Sequence, residues 1–302
     1  MRPAACFRSL RFLLWASLAL GLALPCLAQA EPSAKPRKAI LLVVFGSTVA
    51  ETEKAYDGLK AAAEQAFPDL PVRLAYTSAN ARTNARPGGA ERPSPAQALA
   101  RMTDEGVTQV AVQSMHVIPG REFHDLAATT KALEGLPKGL KQVSLGLPLL
   151  SGENDLKQAA RALLADARPP GGKGGGTPEA LVFVGHGTEH SGNMAYPALQ
   201  YFLWRQDRLA LVGVIDGAPG LDEVLAELNA RRPLSVRLIP LLTVAGEHAR
   251  KDIGGAGQGS WLSAIRAAGF PCTADLRGLI ERPGMRTLWL EHLRMAVQEL
   301  GD

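Results

Sequence analysis

The protein has 302 residues, of which 46% are hydrophobic and 21% are charged, and its formal net charge is +4. Three of the 33 Lys and Arg residues, and none of the 29 acidic residues, fall within the first thirty positions, so the remainder carries 30 basic and 29 acidic residues, a net charge of +1. This near balance gives no support to functions that need a strongly basic surface, such as nucleic-acid binding or attachment to an acidic membrane.

The first thirty residues predict an export signal. Arginines precede an apolar run over 12–24, and Ala28 and Ala30 form the small-x-small pattern of a signal-peptidase site. The run is shorter than the roughly 20 residues that a transmembrane helix needs. We therefore expect a cleaved signal peptide over 1–30, no stable membrane anchor and a periplasmic mature protein. Cys272 would be its only cysteine, so we expect no internal disulfide and a fold stabilised by its hydrophobic core.

After this leader, apolar runs typical of buried strands alternate with segments of helical composition. The predicted strands cover 38–47, 72–78, 107–120 and 141–150 in the first half, and 180–187, 209–216 and 235–246 in the second. Predicted helices lie between them, the third strand being preceded by one that Ser94 caps. Regular alternation of this kind predicts parallel sheets with right-handed crossovers, which is an α/β fold.

A segment rich in Gly and Pro, "RPPGGKGGGTP" at 168–178, divides the chain. Such a segment supports no packed element, so we read it as a linker between an N-terminal α/β lobe at 31–167 and a C-terminal α/β lobe at 179–302. Matching "VVFGST" with "VGHGT" by their final threonines places Gly46 opposite His186. Matching "HVIPGRE" with "LTVAGEH" by their glycines places Glu122 opposite His248. These matches predict two similar lobes related by a pseudo-twofold axis, with Glu122 and His248 facing one cleft.

Three polar residues follow predicted strands at the edge where open parallel sheets bind ligands. His186 lies between two glycines, which allow a sharp turn and leave the imidazole uncovered. His248 and Glu122 each lie just beyond a glycine that closes a strand. Two imidazoles and one carboxylate suit a borderline divalent ion such as Co²⁺, Fe²⁺, Ni²⁺ or Zn²⁺. The alternatives are that each histidine caps a helix and that Glu122 is an acid in a first helical turn, favoured by the helix dipole.

The other histidines fit different roles. His116 falls within a predicted apolar strand and suits a hydrogen-bonded lining residue, and His292 falls on a C-terminal amphipathic helix, where it suits a structural role. His190 lies close to His186 in the sequence, where it suits a residue that contacts a metal ligand or a solvated loop residue. His124 would point away from the cleft if a helix starts near Glu122, where an exported protein could use it to ligate haem between subunits of a homo-oligomer.

Six segments, in this order, resemble the anaerobic sirohydrochlorin cobaltochelatases of cobalamin biosynthesis. They are "LLVVFGSTVAETEKAY", "AYTSANARTNA", "QVAVQSMHVIPGREF", "VFVGHGTEHSGNMAYPAL", "PLLTVAGEHARKDI" and "GLIERPGMRTLWLEHL". The resemblance covers roughly residues 38–300. It implies the bilobal class II chelatase fold, with two Rossmann-like or flavodoxin-like lobes. One departure is "GGAGQGSW", which lacks the acidic segment that usually precedes Ser260 and Trp261 in this family.

The resemblance implies a chelatase that inserts Co²⁺, with Fe²⁺ as the alternative, into the tetrapyrrole sirohydrochlorin. It also implies that His186, His248 and Glu122 form the metal and catalytic site. The carboxylates of sirohydrochlorin suggest pairing with basic residues near strand ends. The candidates for contact with the substrate are Arg82, Arg86, Arg121, Arg250, Lys251, Ser47 and His116.

Two hypotheses compete with this enzyme. The first is a periplasmic protein that binds, stores or transports metal or haem on a chelatase fold without turnover. The second is a bilobal periplasmic solute receptor, which gives no reason for two histidines and a glutamate at strand ends.

Overall fold

Buried apolar runs form the strands of two parallel sheets in this computed structural model, which describes residues 37–84, 91–168 and 178–301. The predicted signal peptide, Arg86 and nearly all of the predicted linker lie outside the described residues. Both sheets belong to one compact unit of the chain. Among the described helices, none is long and apolar enough to cross a membrane.

Four strands and five helices make up the first half. They are β1 (Lys38–Val44), α1 (Thr52–Ala66), β2 (Val72–Tyr76), α2 (Ala79–Thr83), α3 (Pro95–Asp104), β3 (Gln109–Ser114), α4 (Arg121–Leu133), β4 (Gln142–Gly146) and α5 (Glu153–Ala167). Ser94 caps α3 as predicted, because its hydroxyl accepts a hydrogen bond from the Gln97 amide while the Gln97 side chain accepts one from the Ser94 amide.

The second half repeats the pattern with further short turns. Its elements are β5 (Glu179–Gly187), a 3₁₀ turn (Ser191–Met194), α6 (Ala195–Trp204), β6 (Ala210–Asp216), α7 (Leu221–Arg231), β7 (Ser235–Pro240), a π-helical turn (Ala249–Ile253), α8 (Trp261–Ala267), β8 (Cys272–Ala274), a 3₁₀ turn (Leu279–Glu281) and α9 (Pro283–Glu299). The strand β8 is absent from the prediction, since three residues are too few to give a periodic signal. Cys272 is a buried free thiol.

The two sheets have the same strand order. The first runs β2-β1-β3-β4 and the second β6-β5-β7-β8, and every pair is parallel. The direction in which successive strands are added reverses between β1 and β3 in the first sheet, and between β5 and β7 in the second. The carboxyl ends of β1 and β3, and those of β5 and β7, are therefore the edges where this topology favours a ligand site. The predicted α/β fold with two similar parallel sheets is confirmed.

A continuous hydrophobic core joins the two halves. One cluster includes Ile40 and Leu42 of β1 together with Leu181 and Phe183 of β5, whereas the opposite face of each sheet packs into a cluster of its own. Strands buried on both faces explain why the sequence shows continuous apolar runs instead of alternation.

The helix α9 packs on the first sheet although it follows the second in the chain. It contacts β3, β4 and α5, and Trp289 at its centre is fully buried. At its end, the Gln142 side chain donates to the Glu299 carbonyl over 2.9 Å and the Ser144 hydroxyl donates to the Glu299 carboxylate over 2.6 Å. The residues of the predicted C-terminal lobe, 179–302, therefore do not all pack on the second sheet.

Candidate metal centre

The structure brings His186 and His248 into direct contact. His186 lies near the end of β5, and His248 follows β7, the strand that pairs with β5. Their ring centroids are 4.6 Å apart with the rings nearly perpendicular. The side chains are 46% and 50% exposed, so both imidazoles are accessible from the same edge of the sheet.

One nitrogen of each ring is already engaged by an acceptor. The Nδ1 atom of His248 lies 2.7 Å from an Asp252 carboxylate oxygen. The Nδ1 atom of His186 lies 3.1 Å from the Gly187 carbonyl and 3.6 Å from an Asp216 carboxylate oxygen. Among the described residues neither Nε2 atom has a hydrogen-bond partner. An imidazole that donates its Nδ1–H to an oxygen keeps a lone pair on Nε2, which is the usual arrangement of a histidine that binds metal.

Each of the two glycines that flank His186 is required for a different structural reason. Gly187 adopts a φ of +85°, which disfavours any residue with a Cβ, and a Cβ there would collide with the Asp216 carbonyl. At Gly185 a Cβ would overlap the ring of Tyr196, which packs directly on the strand. Burial raises the pKa of Tyr196 to about 12, so its phenol stays protonated. The Gly-His-Gly turn thus allows close packing beneath an uncovered imidazole.

The π-helical turn explains the orientation of His248. The turn begins immediately after His248 and covers Ala249–Ile253, and it brings Asp252 against the imidazole. His248 makes no capping hydrogen bond to the turn. The helix-cap alternative for this histidine therefore does not hold. Single π-helical turns are rare in proteins, and many of those that occur lie at functional sites.

Glu122 occupies in the first sheet the position that His248 occupies in the second. The amides of Gly120 and Gly246 donate to the carbonyls two residues earlier, over 2.8 Å and 2.9 Å. The carbonyls of the same two glycines then accept hydrogen bonds over 3.2 Å from the amides of His124 and Arg250. Matching local geometry supports the predicted equivalence of Glu122 and His248. Glu122 lies in the first turn of α4 and is partly buried.

The predicted equivalence of Gly46 and His186 is wrong by one residue. Val43 and Val184 have matching partners, because their carbonyls accept hydrogen bonds from the first residue after β3 and after β7, over 2.8 Å and 2.7 Å. Counting on from these valines places Phe45 opposite His186, and Gly46 opposite Gly187. Both glycines have positive φ, at +101° and +85°. Aligning by threonines failed because the first half has a serine, and not a threonine, directly after its glycine.

The paired histidines supply two ligands. Within the described parts of the chain, no group of three or more His, Cys, Asp and Glu side chains is close enough to hold a metal ion. The structure thus joins His186 to His248 but does not bring Glu122 into one cluster with them. The three-residue site stays a prediction.

Comparison with known proteins places the chain in a family. The model of the family described as "Cobalt chelatase (CbiK)" matches residues 38–298. The chain belongs to the cobalt chelatase family. It is 39% identical over 266 residues to the sirohydrochlorin cobaltochelatase CbiKC of Nitratidesulfovibrio vulgaris, covering 88% of this chain and 93% of the relative. It is 33% identical to the sirohydrochlorin cobaltochelatase of Salmonella typhimurium, covering 86% of this chain and 97% of that relative.

Solved structures confirm the class II chelatase fold. SirB of Bacillus subtilis with Fe³⁺ superimposes with a TM-score of 0.57 at 12% identity, covering 87% of this chain and 97% of SirB. The sirohydrochlorin chelatase SirB in complex with cobalt, from Bacillus subtilis subspecies spizizenii, gives a TM-score of 0.55 at 12% identity, covering 87% and 96%. At such low identity these structures establish the fold alone.

The arginines predicted to bind substrate lie in different environments in this cobalt chelatase. Arg121 is exposed at the start of α4, and Arg82 is partly buried at the end of α2. The Nε atom of Arg82 is buried without a hydrogen-bond partner among the described residues. Arg250 approaches Glu51 at 3.6 Å and donates from Nε to the Ala245 carbonyl over 3.3 Å. Among the described arginines of this set, Arg121 and Arg250 are exposed, and each lies within two residues of a predicted ligand, Glu122 or His248.

Ser47 and His116, also predicted to contact substrate, support the strand ends. Ser47 is buried, and its hydroxyl accepts a hydrogen bond from the Val49 amide. His116 lies in the loop after β3, not inside the strand as predicted, because the backbone leaves the sheet after Ser114. Its ring nitrogens contact the Ser114 and Thr77 hydroxyls at 2.9 Å and 3.3 Å. Burial lowers the pKa of His116 to about 4, so the imidazole is neutral near pH 7.

The remaining histidines make other contacts. His124 lies in α4, and its ring centroid is 4.9 Å from that of His190. The Nδ1 atom of His190 accepts a hydrogen bond from the Gly192 amide, so His190 caps the 3₁₀ turn. His292 is buried in α9, where it contacts the Asp155 carboxylate at 3.1 Å, which confirms a structural role.

The sequence analysis did not single out Asp252 and Asp216, the two carboxylates beside the paired histidines, although the sequence carries a signal for each. Asp252 lies four residues after His248, a spacing at which two side chains on a helical turn meet. Asp216 closes β6, the other neighbour of β5, so its place at the same edge follows from the strand order. The strand order itself was not predicted.

A cavity of about 380 Å³ beside this edge is lined by Thr52, Val244, Arg250 and Asp275, among others.

Proposed function

We propose that the protein inserts Co²⁺ into sirohydrochlorin. The observation that carries this proposal is the contact between His186 and His248 at the ligand-binding edge of the second sheet, with both Nε2 atoms available. Neutral imidazoles bind Co²⁺ well without the charge that would trap it.

Relatives support the choice of metal and tetrapyrrole. Both curated relatives described above are named sirohydrochlorin cobaltochelatases, and each is matched over nearly its whole length. Sequence similarity of this extent covers both sheets and both histidines. Fe²⁺ is the alternative metal, because a site of nitrogen and oxygen ligands does not select cobalt by geometry alone.

The reaction requires that two pyrrole N–H protons leave the macrocycle as the ion exchanges its protein ligands for pyrrole nitrogens. In the proposed mechanism His186 and His248 present the ion through Nε2. Glu122, at the equivalent edge of the first sheet, completes the ligand set and accepts one pyrrole proton as general base, and solvent water takes up the other. The Asp252 carboxylate keeps the proton of His248 on Nδ1 throughout, so the metal-binding nitrogen remains free.

Arg121, Arg250 and Lys251 are proposed to pair with the carboxylates around the sirohydrochlorin ring. Arg121 is exposed at the start of α4, and it directly precedes Glu122. Arg250 would exchange its long contact with Glu51 for a substrate carboxylate.

A metallation assay tests the proposed function. Purified protein is mixed with sirohydrochlorin and either Co²⁺ or Fe²⁺, and the absorbance change of the macrocycle is followed against the spontaneous rate. We expect acceleration with Co²⁺. No acceleration with either ion, together with retained metal or haem binding, would support the binding or storage hypothesis instead.

Variants test the individual ligands. His186→Ala and His248→Ala should each abolish metallation while the circular dichroism spectrum stays unchanged. Glu122→Gln should lower the rate strongly, and Glu64→Gln is its matched control because Glu64 is a surface residue of α1 that pairs with Lys60. Wild-type rates in either histidine variant would contradict the assignment.

Export to the periplasm is part of the proposal, carried by the leader at 1–30. Expression of the full chain followed by cell fractionation and mass spectrometry should find a mature protein that begins near Glu31. An uncleaved chain in the cytoplasm would refute it. The same preparation allows the haem hypothesis to be tested, since a ligand role for His124 requires a haem spectrum that His124→Ala changes.

A further inference from the structure

Phe45 is an exposed aromatic residue directly after β1. Its side chain is 47% exposed, whereas every residue of β1 from Ala39 to Val44 is buried. The Phe45 carbonyl accepts a hydrogen bond from the Ser78 amide over 3.0 Å, so the backbone at this position is held. A large apolar side chain is thus fixed at the edge of the first sheet where its topology favours a ligand.

The strand register makes Phe45 the counterpart of His186. As shown above, Val43 and Val184 are equivalent, and Phe45 and His186 each lie two residues further along. The side chains of Val43 and Val184 pack in the separate clusters on the outer faces of their sheets. The backbone positions of Phe45 and His186 are therefore equivalent at the carboxyl edges of the two sheets.

The two sheets therefore present similar pairs of positions with different chemistry. In the second sheet the pair is His186 and His248, whose rings touch. In the first sheet the equivalent pair is Phe45 and Glu122. A phenyl ring does not ligate Co²⁺ in proteins, so at these two positions the first sheet offers one carboxylate and one apolar plane. This asymmetry suits a substrate that brings a flat conjugated ring to one side of the site and receives a metal from the other.

We propose that Phe45 binds one face of the tetrapyrrole macrocycle by offset stacking and so positions it against His186 and His248. This inference rests on the proposed function. Conjugated rings attract one another in offset-stacked geometry beyond the burial of apolar area. The contact would place the macrocycle next to Glu122, the proposed acceptor of a pyrrole proton.

Steady-state metallation with varied sirohydrochlorin tests the role of Phe45. Phe45→Leu keeps an apolar side chain but removes the plane, so KM for sirohydrochlorin should rise about three- to tenfold, the factor that aromatic stacking typically supplies. Phe45→Tyr keeps the plane and should stay within about twofold of the wild type, on the same grounds. Affinity for Co²⁺ without tetrapyrrole should be the same in all three proteins.

A matched control is Tyr201→Leu, which removes an aromatic ring that is 57% exposed on α6. It should leave KM unchanged. The inference is overturned if Phe45→Leu has the wild-type KM, if Phe45→Tyr is as impaired as Phe45→Leu, or if Phe45→Leu weakens Co²⁺ binding instead. If the wild type itself does not metallate sirohydrochlorin, the proposed function fails. If the wild type is active and only the Phe45 results disagree, the function stands and this inference fails.

Discussion

The contact between His248 and Asp252 predicts that Asp252→Asn weakens Co²⁺ binding. The carboxylate accepts the Nδ1–H of His248 over 2.7 Å, which keeps the Nε2 lone pair free and fixes the ring. A neutral amide loses the charge-assisted hydrogen bond and can offer its NH₂ group to the ring instead of its oxygen.

The magnitude follows from the exposure of the pair. Outer partners of metal-binding histidines typically contribute about 10- to 100-fold to metal affinity. The His248 and Asp252 side chains are 50% and 43% exposed, so solvent screens their interaction. We therefore expect the lower end of the range, a loss of about tenfold, which corresponds to about 1.4 kcal/mol.

Asp216→Asn is the matched control. The Asp216 oxygen lies 3.6 Å from Nδ1 of His186, beyond a direct hydrogen bond, and the Gly187 carbonyl is closer at 3.1 Å. This variant should lose less than about threefold in affinity, because the backbone carbonyl still holds the ring. Titration of Co²⁺ against a chromophoric chelator, without tetrapyrrole, measures both. Equal affinity of Asp252→Asn and wild type, or a larger loss in Asp216→Asn, would refute the reasoning.

Three further predictions concern stability, measured by urea denaturation. Gly187→Ala should destabilise the fold by more than about 1 kcal/mol because of its positive φ and the adjacent carbonyl, whereas Gly257→Ala, which has open space around it, should be nearly neutral. His116 has a folded pKa of about 4, below its ordinary 6.5, so the unfolded state takes up the proton first and stability should fall as the pH drops from 6.5 to 4. His116→Asn should remove most of this loss, about 2 kcal/mol at pH 5. Burial lowers the pKa of His292, but the hydrogen bond and the charge of Asp155 raise it by more, so the folded pKa lies above 6.5. The stabilisation should therefore be full below pH 6.5 and decline as the pH rises through the folded pKa. His292→Leu should remove that dependence without changing Co²⁺ affinity.

The sequence predicted the His186–His248 contact for a reason that can be stated. Two buried apolar runs that are each followed closely by a glycine and a histidine predict two histidines at the carboxyl edge of a parallel sheet. The pairing of β5 with β7, which the structure shows, brings these histidines into contact. The equivalence of Glu122 and His248 was also predictable, because the segments from β3 and β7 to these residues have equal length.

Other features depend on contacts that local patterns do not encode. An amphipathic pattern identifies α9 as a helix but does not say which sheet its apolar face covers. The π-helical turn after His248 depends on how residues 249–253 pack, not on their spacing. The register error at Gly46 arose because identical residue types were matched where backbone position decided the equivalence.

The packing of α9 imposes an order of events on folding. Residues 283–299 cover β3 and β4, yet they come after every strand that the structure describes. During synthesis, the first sheet cannot bury this face when its own strands emerge. The site that Trp289 fills on the first sheet therefore stays uncovered until the last helix has been made. The first half of this protein to be made is therefore among the last to be finished.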